Sequence, residues 1–256
     1  MLTTFLSYKT IAGSLSKTLA RTAAEPPVAR ESAYYLATIG AVKTVDDFLK
    51  NDRLFRFAMK AYGLGDMAYA KGFMRKVLQE GVESDAALAN RLSDPRYKAF
   101  AKAFNFARYG TLTTTFAATR QDTADRYVRQ TLEERVGAES EGARLALYFQ
   151  RKAPEIASAY GILADPALLQ VAQVALNIAP ETRTADIDKQ AKLIDAKLKV
   201  SDLQDPQKLD RFLQRFASLY DAATGTGVDQ VSTLVSGQAS FGLSTDLLLT
   251  LQTLRR

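Results

Sequence analysis

The feature of this sequence that most limits its possible folds is one helix start that recurs along the chain. Asp-Pro pairs stand at residues 94–95, 165–166 and 205–206, and Asp52 follows Asn51 in a similar context. An Asp side chain accepts hydrogen bonds from the free amides of a first helical turn, and Pro fits that turn because it has no amide to satisfy. The sequence therefore predicts helices that begin near residues 52, 95, 166 and 206.

Signals for helix follow one another through most of the remaining chain. Thr44 with Asp47 three residues later is typical of a capping box. Gly and Asn adopt the left-handed conformation that closes helices, and four of them predict helix ends: Gly63, Gly81, Asn105 and Gly137. Residues 110–119 are rich in hydroxyls and predict a loop. Aromatic side chains at helical spacing predict a buried stripe, which comprises Phe55, Tyr62, Phe73, Tyr97, Phe100 and Phe104.

These signals predict an all-α, multi-helix globular protein with two helical lobes. Internal duplication would explain the lobes, because Tyr35 precedes Asp52 by 17 residues and Tyr148 precedes Asp165 by the same number. The competing explanation is that Asp-Pro is a common helix opening, which needs no shared ancestry. Both explanations stay open at the level of sequence.

The predicted organisation has four parts. Residues 1–28 form an amphipathic or flexible segment, 29–136 a first lobe, 137–223 a second lobe, and 224–256 a flexible or amphipathic tail. Each end should fray unless it docks on the core or on a partner. The apolar positions expected to mediate association are Leu15, Leu19, Leu247, Leu251 and Leu254. The first 24 residues contain no acid and resemble a mitochondrial presequence as much as an ordinary helix, but not a secretory signal.

Two absences reduce the expectation of catalysis. The chain contains no Cys and no His. It therefore lacks thiolate metal sites and the side chain most used for general base catalysis near neutral pH. No motif supplies a phosphate loop or a calcium loop in the required context. We predict a non-enzyme with no catalytic residue, no metal and no cofactor, and we expect a soluble protein without a membrane span.

The positive charge of the chain is concentrated in its central part. Residues 51–110 hold 11 basic and 6 acidic side chains. This bias permits a nucleic-acid-binding or regulatory surface as an alternative function, although spacing at helical intervals favours an ordinary solvated face. The possible interaction surface comprises Arg53, Arg56, Lys60, Arg75, Lys76, Arg96, Lys98 and Lys102.

Several segments together resemble a known family. They are Tyr34-Tyr35, Ile39-Gly40, Val45-Asp46-Asp47-Phe48, Lys60-Ala61-Tyr62-Gly63-Leu64, Asp94-Pro95-Arg96-Tyr97, Phe104-Asn105-Phe106 and the run from Arg144 to Lys152. On these segments residues 29–222 resemble an alphaproteobacterial family called domain of unknown function 1217. Gln150 stands where the family pattern leads us to expect an acid.

The resemblance implies a role rather than a reaction. Members of that family lack a recognised active site and tend to be encoded among flagellar genes. We therefore expect a non-enzymatic flagellum-associated structural or assembly protein. Its partners would be other flagellar proteins, or a second copy through its termini. It would reside in the bacterial cytoplasm or be exported to the flagellum without a cleaved signal peptide.

Overall fold

The structure, a computed structural model, describes residues 3–225. Over this range the chain forms fifteen α-helices and short 3-10 helices, and it contains no β-strand. The predicted all-α fold is confirmed. None of the helices between residues 3 and 225 carries an apolar stretch long enough to cross a membrane.

The first nine helices are α1 (Thr4–Ala12), α2 (Leu15–Ala24), α3 (Pro26–Thr38), α4 (Val45–Lys50), α5 (Asp52–Ala61), α6 (Lys71–Glu80), α7 (Leu88–Arg91), α8 (Pro95–Ala103) and α9 (Phe106–Tyr109). The remaining six are α10 (Gln121–Glu139), α11 (Glu141–Lys152), α12 (Ala159–Leu163), α13 (Pro166–Leu176), α14 (Ile187–Asp195) and α15 (Pro206–Thr224). The 3-10 helices are Ile39–Ala41, Gly65–Met67, Gly110–Thr115, Ala117–Thr119, Ala153–Glu155, Pro180–Thr184 and Val200–Gln204.

The buried side chains of α3 to α9 form one hydrophobic core, here called the first core. Its largest fully buried members are Tyr35, Phe48, Phe55, Phe100 and Phe104. The rings of Phe48 and Phe104 stack with centroids 4.8 Å apart, so aromatic contacts add to the burial of apolar area. The predicted aromatic stripe is confirmed, with Phe73 the one member that is only partly buried.

A second core is formed by α11 to α15 together with the N-terminal helix α1. Tyr8 of α1 is fully buried among residues of α11 and α15. The backbone amides of Thr4 and Phe5 donate to the carboxylate of Asp221 at 2.8 and 3.0 Å, which fixes the start of α1 on α15. Helix α1 therefore docks on the second core rather than fraying, and Leu15 and Leu19 of α2 are partly buried against the same core.

Helix α10 belongs to both cores. Ala124 near its start lies in the first core, whereas Leu132 and Val136 near its end lie in the second. The helix packs against α5, α11, α2 and α3. The boundary at residue 136 stays a prediction about domains, and the helix that contains it runs on to Glu139.

The predicted helix starts agree with the caps in the structure. The carboxylates of Asp94, Asp165 and Asp205 each accept a hydrogen bond from an amide in the first turn of the helix that follows. Thr44 and Asp47 form the predicted capping box. At α5 the cap is Asn51, not Asp52, because the Asn51 side chain accepts from the Leu54 amide at 3.2 Å.

Two predicted helix ends are wrong, and each has a packing reason. Asn105 has a φ of −82° and caps the start of α9, where its side-chain oxygen accepts from the Arg108 amide. Gly137 lies inside α10, and an added Cβ would come within 2.5 Å of Arg144, so glycine allows α11 to approach. Gly63 and Gly81 do have positive φ, as predicted.

The hydroxyl-rich residues 110–119 are also more ordered than the predicted loop. They form two 3-10 helices. Thr113, Thr114 and Thr119 are buried, and their hydroxyls donate to backbone carbonyls. Hydroxyls that satisfy buried carbonyls allow such a segment to pack against the first core.

Candidate functional site

A cleft with a volume of about 400 Å³ lies where elements of the two cores meet. One wall comes from the end of α5 and the start of α8, and the opposite wall comes from α11 and the start of α13. Helix α10 crosses between them and contributes Arg126, Gln130 and Glu133. A cavity of this size falls within the range of small-molecule sites.

Two of the predicted Asp-Pro helix starts meet in this cleft. Asp94-Pro95 begins α8 on one wall, and Asp165-Pro166 begins α13 on the other. Asp94 accepts from the Arg96 amide at 2.9 Å, and Asp165 accepts from the Ala167 and Leu168 amides at 2.9 and 3.3 Å. Local capping chemistry thus places one carboxylate on each side of the cleft.

The Asp94 carboxylate is held by a single arginine. Arg96 donates to it through Nε at 2.9 Å and through Nη2 at 2.7 Å, and its Nη1 donates to the carbonyl of Gly63. Burial alone would raise the pKa of Asp94. The guanidinium and the amide of Arg96 outweigh that effect and hold the pKa below its ordinary value.

Glu133 of α10 lies at the base of the cleft and is only 2% exposed. Arg129 donates to it at 2.8 Å, and Arg151 donates to both of its oxygens at 2.9 and 2.7 Å. Arg129 also donates to the Leu147 carbonyl at 2.9 Å. One buried carboxylate thus serves two guanidinium groups, which leaves this triad with an excess positive charge.

Arg151 and Tyr148 connect this triad to the cap of α13. Burial opposes the charge of Arg151, but Glu133 outweighs it and holds the pKa of Arg151 above its ordinary value. The Arg151 guanidinium lies 5.1 Å from the centre of the Tyr148 ring, and the Tyr148 hydroxyl donates to Asp165 at 2.6 Å. Burial, and then Asp165, raise the pKa of Tyr148.

Arg126 differs from the other cations of the cleft. Its guanidinium lies 5.1 Å from the centre of the Tyr62 ring, and within residues 3–225 no carboxylate lies within 4.0 Å of it. Arg144 pairs with Glu141 through Nε at 2.7 Å, and Lys152 pairs with Glu155 at 2.7 Å. These two carboxylates do not line the cleft.

This arrangement offers hydrogen-bond donors and positive charge rather than an acid–base pair. The pKa shifts of Asp94, Tyr148 and Arg151 all lead away from neutrality. A general acid or base works best with a pKa near the operating pH. Across the described part of the chain, no group of three or more acidic, His or Cys side chains could hold a metal ion.

Most of the eight cations predicted as an interaction surface are engaged in ion pairs. Six pair with carboxylates: Arg53 with Glu31, Arg56 with Asp52, Lys60 with Glu134, Arg75 with Asp46, Lys76 with Glu80 and Arg96 with Asp94. Lys98 and Lys102 are exposed and have no ion pair within residues 3–225. Only Arg96 lines the cleft. A nucleic-acid role for this surface stays a prediction.

The predicted association residues divide into two groups. Leu15 and Leu19 are partly buried against the second core. Leu247, Leu251 and Leu254 lie outside the described residues. Sequence reasoning missed Arg126, Glu133 and Arg151. The 17-residue spacing of Tyr148 and Asp165, interpreted from the sequence as a sign of duplication, is the spacing of a hydrogen-bonded pair at the cleft.

Comparison with known proteins now assigns the chain to a family. The sequence model of the family described as protein of unknown function (DUF1217) matches residues 61–209. The chain belongs to this family. The matched range includes every residue that lines the cleft.

One solved structure is similar to this chain over most of its length. The crystal structure of protein AGR_C_984 from Agrobacterium tumefaciens is similar to this chain, with 46% sequence identity and a TM-score of 0.79. The match covers 85% of this chain and 93% of the other. No curated protein matches this member of DUF1217.

Proposed function

We propose that this protein is a non-enzymatic structural or assembly protein of the bacterial flagellum, which acts by binding other proteins. The flagellar part of the proposal comes from the family resemblance, because similar proteins tend to be encoded among flagellar genes. The protein-binding part comes from one exposed surface of the structure, and the non-enzymatic part is supported by the cleft.

The observation that carries the non-enzymatic part of the proposal is the state of the ionisable groups in the cleft. Asp94 is held by Arg96, and Glu133 is held by Arg129 and Arg151. The Tyr148 hydroxyl donates a hydrogen bond to Asp165 and has a raised pKa. Groups fixed in this way hold a geometry and bind charge, but they exchange protons poorly near neutral pH.

An exposed aromatic patch supports contact with another protein. The patch consists of Tyr109 at the end of α9 and of Leu112 and Phe116 in the segment after it. These side chains are 39%, 60% and 42% exposed. The Tyr109 and Phe116 rings contact each other edge to face, with centroids 4.9 Å apart. Exposed apolar side chains that lie together are typical of protein-binding surfaces.

The proposal is tested by deletion of the gene, followed by motility assays and electron microscopy of the flagella. We expect impaired motility, with absent, short or misshapen filaments, and restoration by the wild-type gene. A triple variant, Tyr109→Ser with Leu112→Ser and Phe116→Ser, should fail to restore motility. Tyr69→Ser, which changes an isolated side chain that is 76% exposed, should restore it. Normal motility and normal filaments in the deletion strain would contradict the proposal.

Location separates two forms of this proposal. One form is export through the flagellar apparatus without cleavage, and the other is a cytoplasmic assembly factor. Fractions of wild-type cells and of an export-deficient strain distinguish them. Protein found only in the cytoplasm of both strains identifies the assembly factor, whereas export-dependent protein outside the cell identifies the exported form.

A further inference from the structure

The cleft between the two cores has the properties of a ligand site, and these properties go beyond the proposed flagellar role. Its volume of about 400 Å³ is suited to a small organic molecule rather than to a folded partner. Its walls come from α5, α8, α10, α11 and α13, so both cores must be folded for the site to exist.

The charge of the cleft favours an anion. Five cations line it, Arg96, Arg126, Arg144, Arg151 and Lys152, against three carboxylates, Asp94, Glu133 and Asp165. The three carboxylates are already engaged with groups of the protein: Asp94 with Arg96, Glu133 with two arginines, and Asp165 with Tyr148 and two amides. An excess of positive charge within low-dielectric walls concentrates anions.

Three of the five cations are available to a ligand. Arg126 has no carboxylate within 4.0 Å in the described range 3–225. Arg144 and Lys152 pair with Glu141 and Glu155, whose side chains are 50% and 56% exposed. Arg144 and Lys152 are themselves 32% and 14% exposed. Their partner carboxylates can return to water when a ligand oxyanion replaces them, and this hydration offsets part of the cost of the exchange.

The lining also includes apolar and aromatic side chains. Tyr62 and Tyr148 present rings, and Pro95, Pro166 and Ala99 add apolar surface. The Arg126 guanidinium packs over the Tyr62 ring, which orients its donors and leaves them without a carboxylate partner in the described residues. A planar guanidinium binds carboxylates and phosphates through two parallel hydrogen bonds.

We infer that this cleft binds a small organic anion, in which a carboxylate or phosphate contacts Arg126 and an apolar ring packs against the tyrosines. The probes are phenyl phosphate, benzoate and the uncharged benzyl alcohol, added at millimolar concentration to the full-length protein. Backbone amide NMR spectra locate the binding site and give the affinity. A preference for phenyl phosphate identifies a phosphorylated ligand, and a preference for benzoate identifies a carboxylated one.

Variants make the test specific. Arg126→Gln should weaken binding of the preferred probe by roughly tenfold or more, because hydrogen bonds to charged groups contribute at least that factor. Arg215→Gln removes an exposed arginine of α15 outside the cleft and should leave binding unchanged. Ala99→Leu fills the cleft without changing its charge and should also prevent binding.

The inference is overturned if neither anion shifts the cleft resonances, if benzyl alcohol binds as tightly as the anions, or if Arg126→Gln binds like the wild type. Normal far-ultraviolet circular dichroism of the variants excludes unfolding as the cause of a loss. This test is independent of motility, so its failure would leave the flagellar proposal untouched.

Discussion

The hydroxyl of Tyr148 donates a 2.6 Å hydrogen bond to Asp165, whose other carboxylate oxygen caps α13. Tyr34 pairs with Asn51, which caps α5: the Asn51 Nδ2 donates to the Tyr34 hydroxyl at 3.1 Å, and this hydroxyl lies 3.3 Å from Oδ1. Both pairs are separated by 17 residues. Tyr148 of α11 therefore contacts the residue that caps α13, and Tyr34 of α3 contacts the residue that caps α5. The hydrogen-bonded pair of the first half lies one residue before the predicted pair Tyr35 and Asp52, and the Tyr35 hydroxyl donates instead to the Thr119 carbonyl. Internal duplication stays a prediction.

Loss of the Tyr148 hydroxyl should destabilise the protein. In Tyr148→Phe the ring stays and the hydrogen bond to Asp165 is lost, so the free energy of unfolding should fall by about 1 kcal/mol. Urea unfolding measures this change. Tyr109→Phe is the matched control, because Tyr109 is exposed and its hydroxyl has no hydrogen-bond partner among residues 3–225. Equal unfolding midpoints for the two variants would refute the prediction.

Stability should decrease at alkaline pH. Burial is the main cause that raises the pKa of Tyr8, Tyr35 and Tyr148 above the ordinary value of 10.0. The folded protein therefore retains these protons when the unfolded chain loses them. The stability linked to them is complete below about pH 10 and is lost as the pH rises above it, at about 1.4 kcal/mol per pH unit for each tyrosine.

Urea unfolding between about pH 9 and pH 11 tests this dependence, and absorbance of the phenolate follows the ionisation itself. Tyr148→Phe should give a shallower decrease than the wild type, because one of the three tyrosines no longer contributes. A stability that stays constant across this range would contradict the assignment of raised pKa values.

The charge of Glu133 should be essential to the fold. Glu133→Gln leaves Arg129 and Arg151 without a carboxylate in a buried site, and this should cost about 3–5 kcal/mol of unfolding free energy. Glu134→Gln is the control at the next position, where the carboxylate pairs with Lys60 on the surface, and it should cost less than about 1 kcal/mol. Chemical denaturation of both variants gives the comparison, and equal losses would refute the buried triad.

The close approach of three helices at Gly142 should exclude any larger residue. An added Cβ would lie 2.6 Å from Thr4 Cγ2 and 2.6 Å from Tyr220 Cδ1, so Gly142→Ala should displace α1 from α15 and cost about 1–3 kcal/mol. Gly72→Ala in α6 meets no atom within 4 Å and should stabilise the protein by about 0.5–1 kcal/mol. Thermal unfolding measures the change in stability of each variant, and limited proteolysis shows whether α1 has been released in Gly142→Ala. The prediction fails if both alanines have the same effect.

The helix starts could be predicted from the sequence because their chemistry is local. Asp94, Asp165 and Asp205 cap helices through amides only two or three residues away. The aromatic stripe was also predictable, since its members recur within single helices. Asn105 was misassigned because Asn both caps helix starts and closes helix ends, and the choice depends on its contacts with Arg108 and Glu83.

The cleft itself could not be predicted, because its parts are distant in sequence. The hydrogen bond between Arg151 and Glu133 joins residues that are 18 positions apart. The hydrogen bond from Arg96 to the Gly63 carbonyl joins residues that are 33 positions apart. The amphipathic pattern of α10 predicts one buried face. The helix instead packs against elements on several sides, so its charged side chains are enclosed as well. Gly137 shows the same limitation, since its role depends on Arg144 of α11.

The position of α10 has a consequence for motion. A continuous α-helix of 19 residues is a stiff rod of roughly 28 Å, and its two ends are embedded in different cores. The cleft lies along this rod, so it cannot open as two jaws about a flexible hinge without bending the helix. The spacing of its two walls is therefore set by this helix before any ligand arrives.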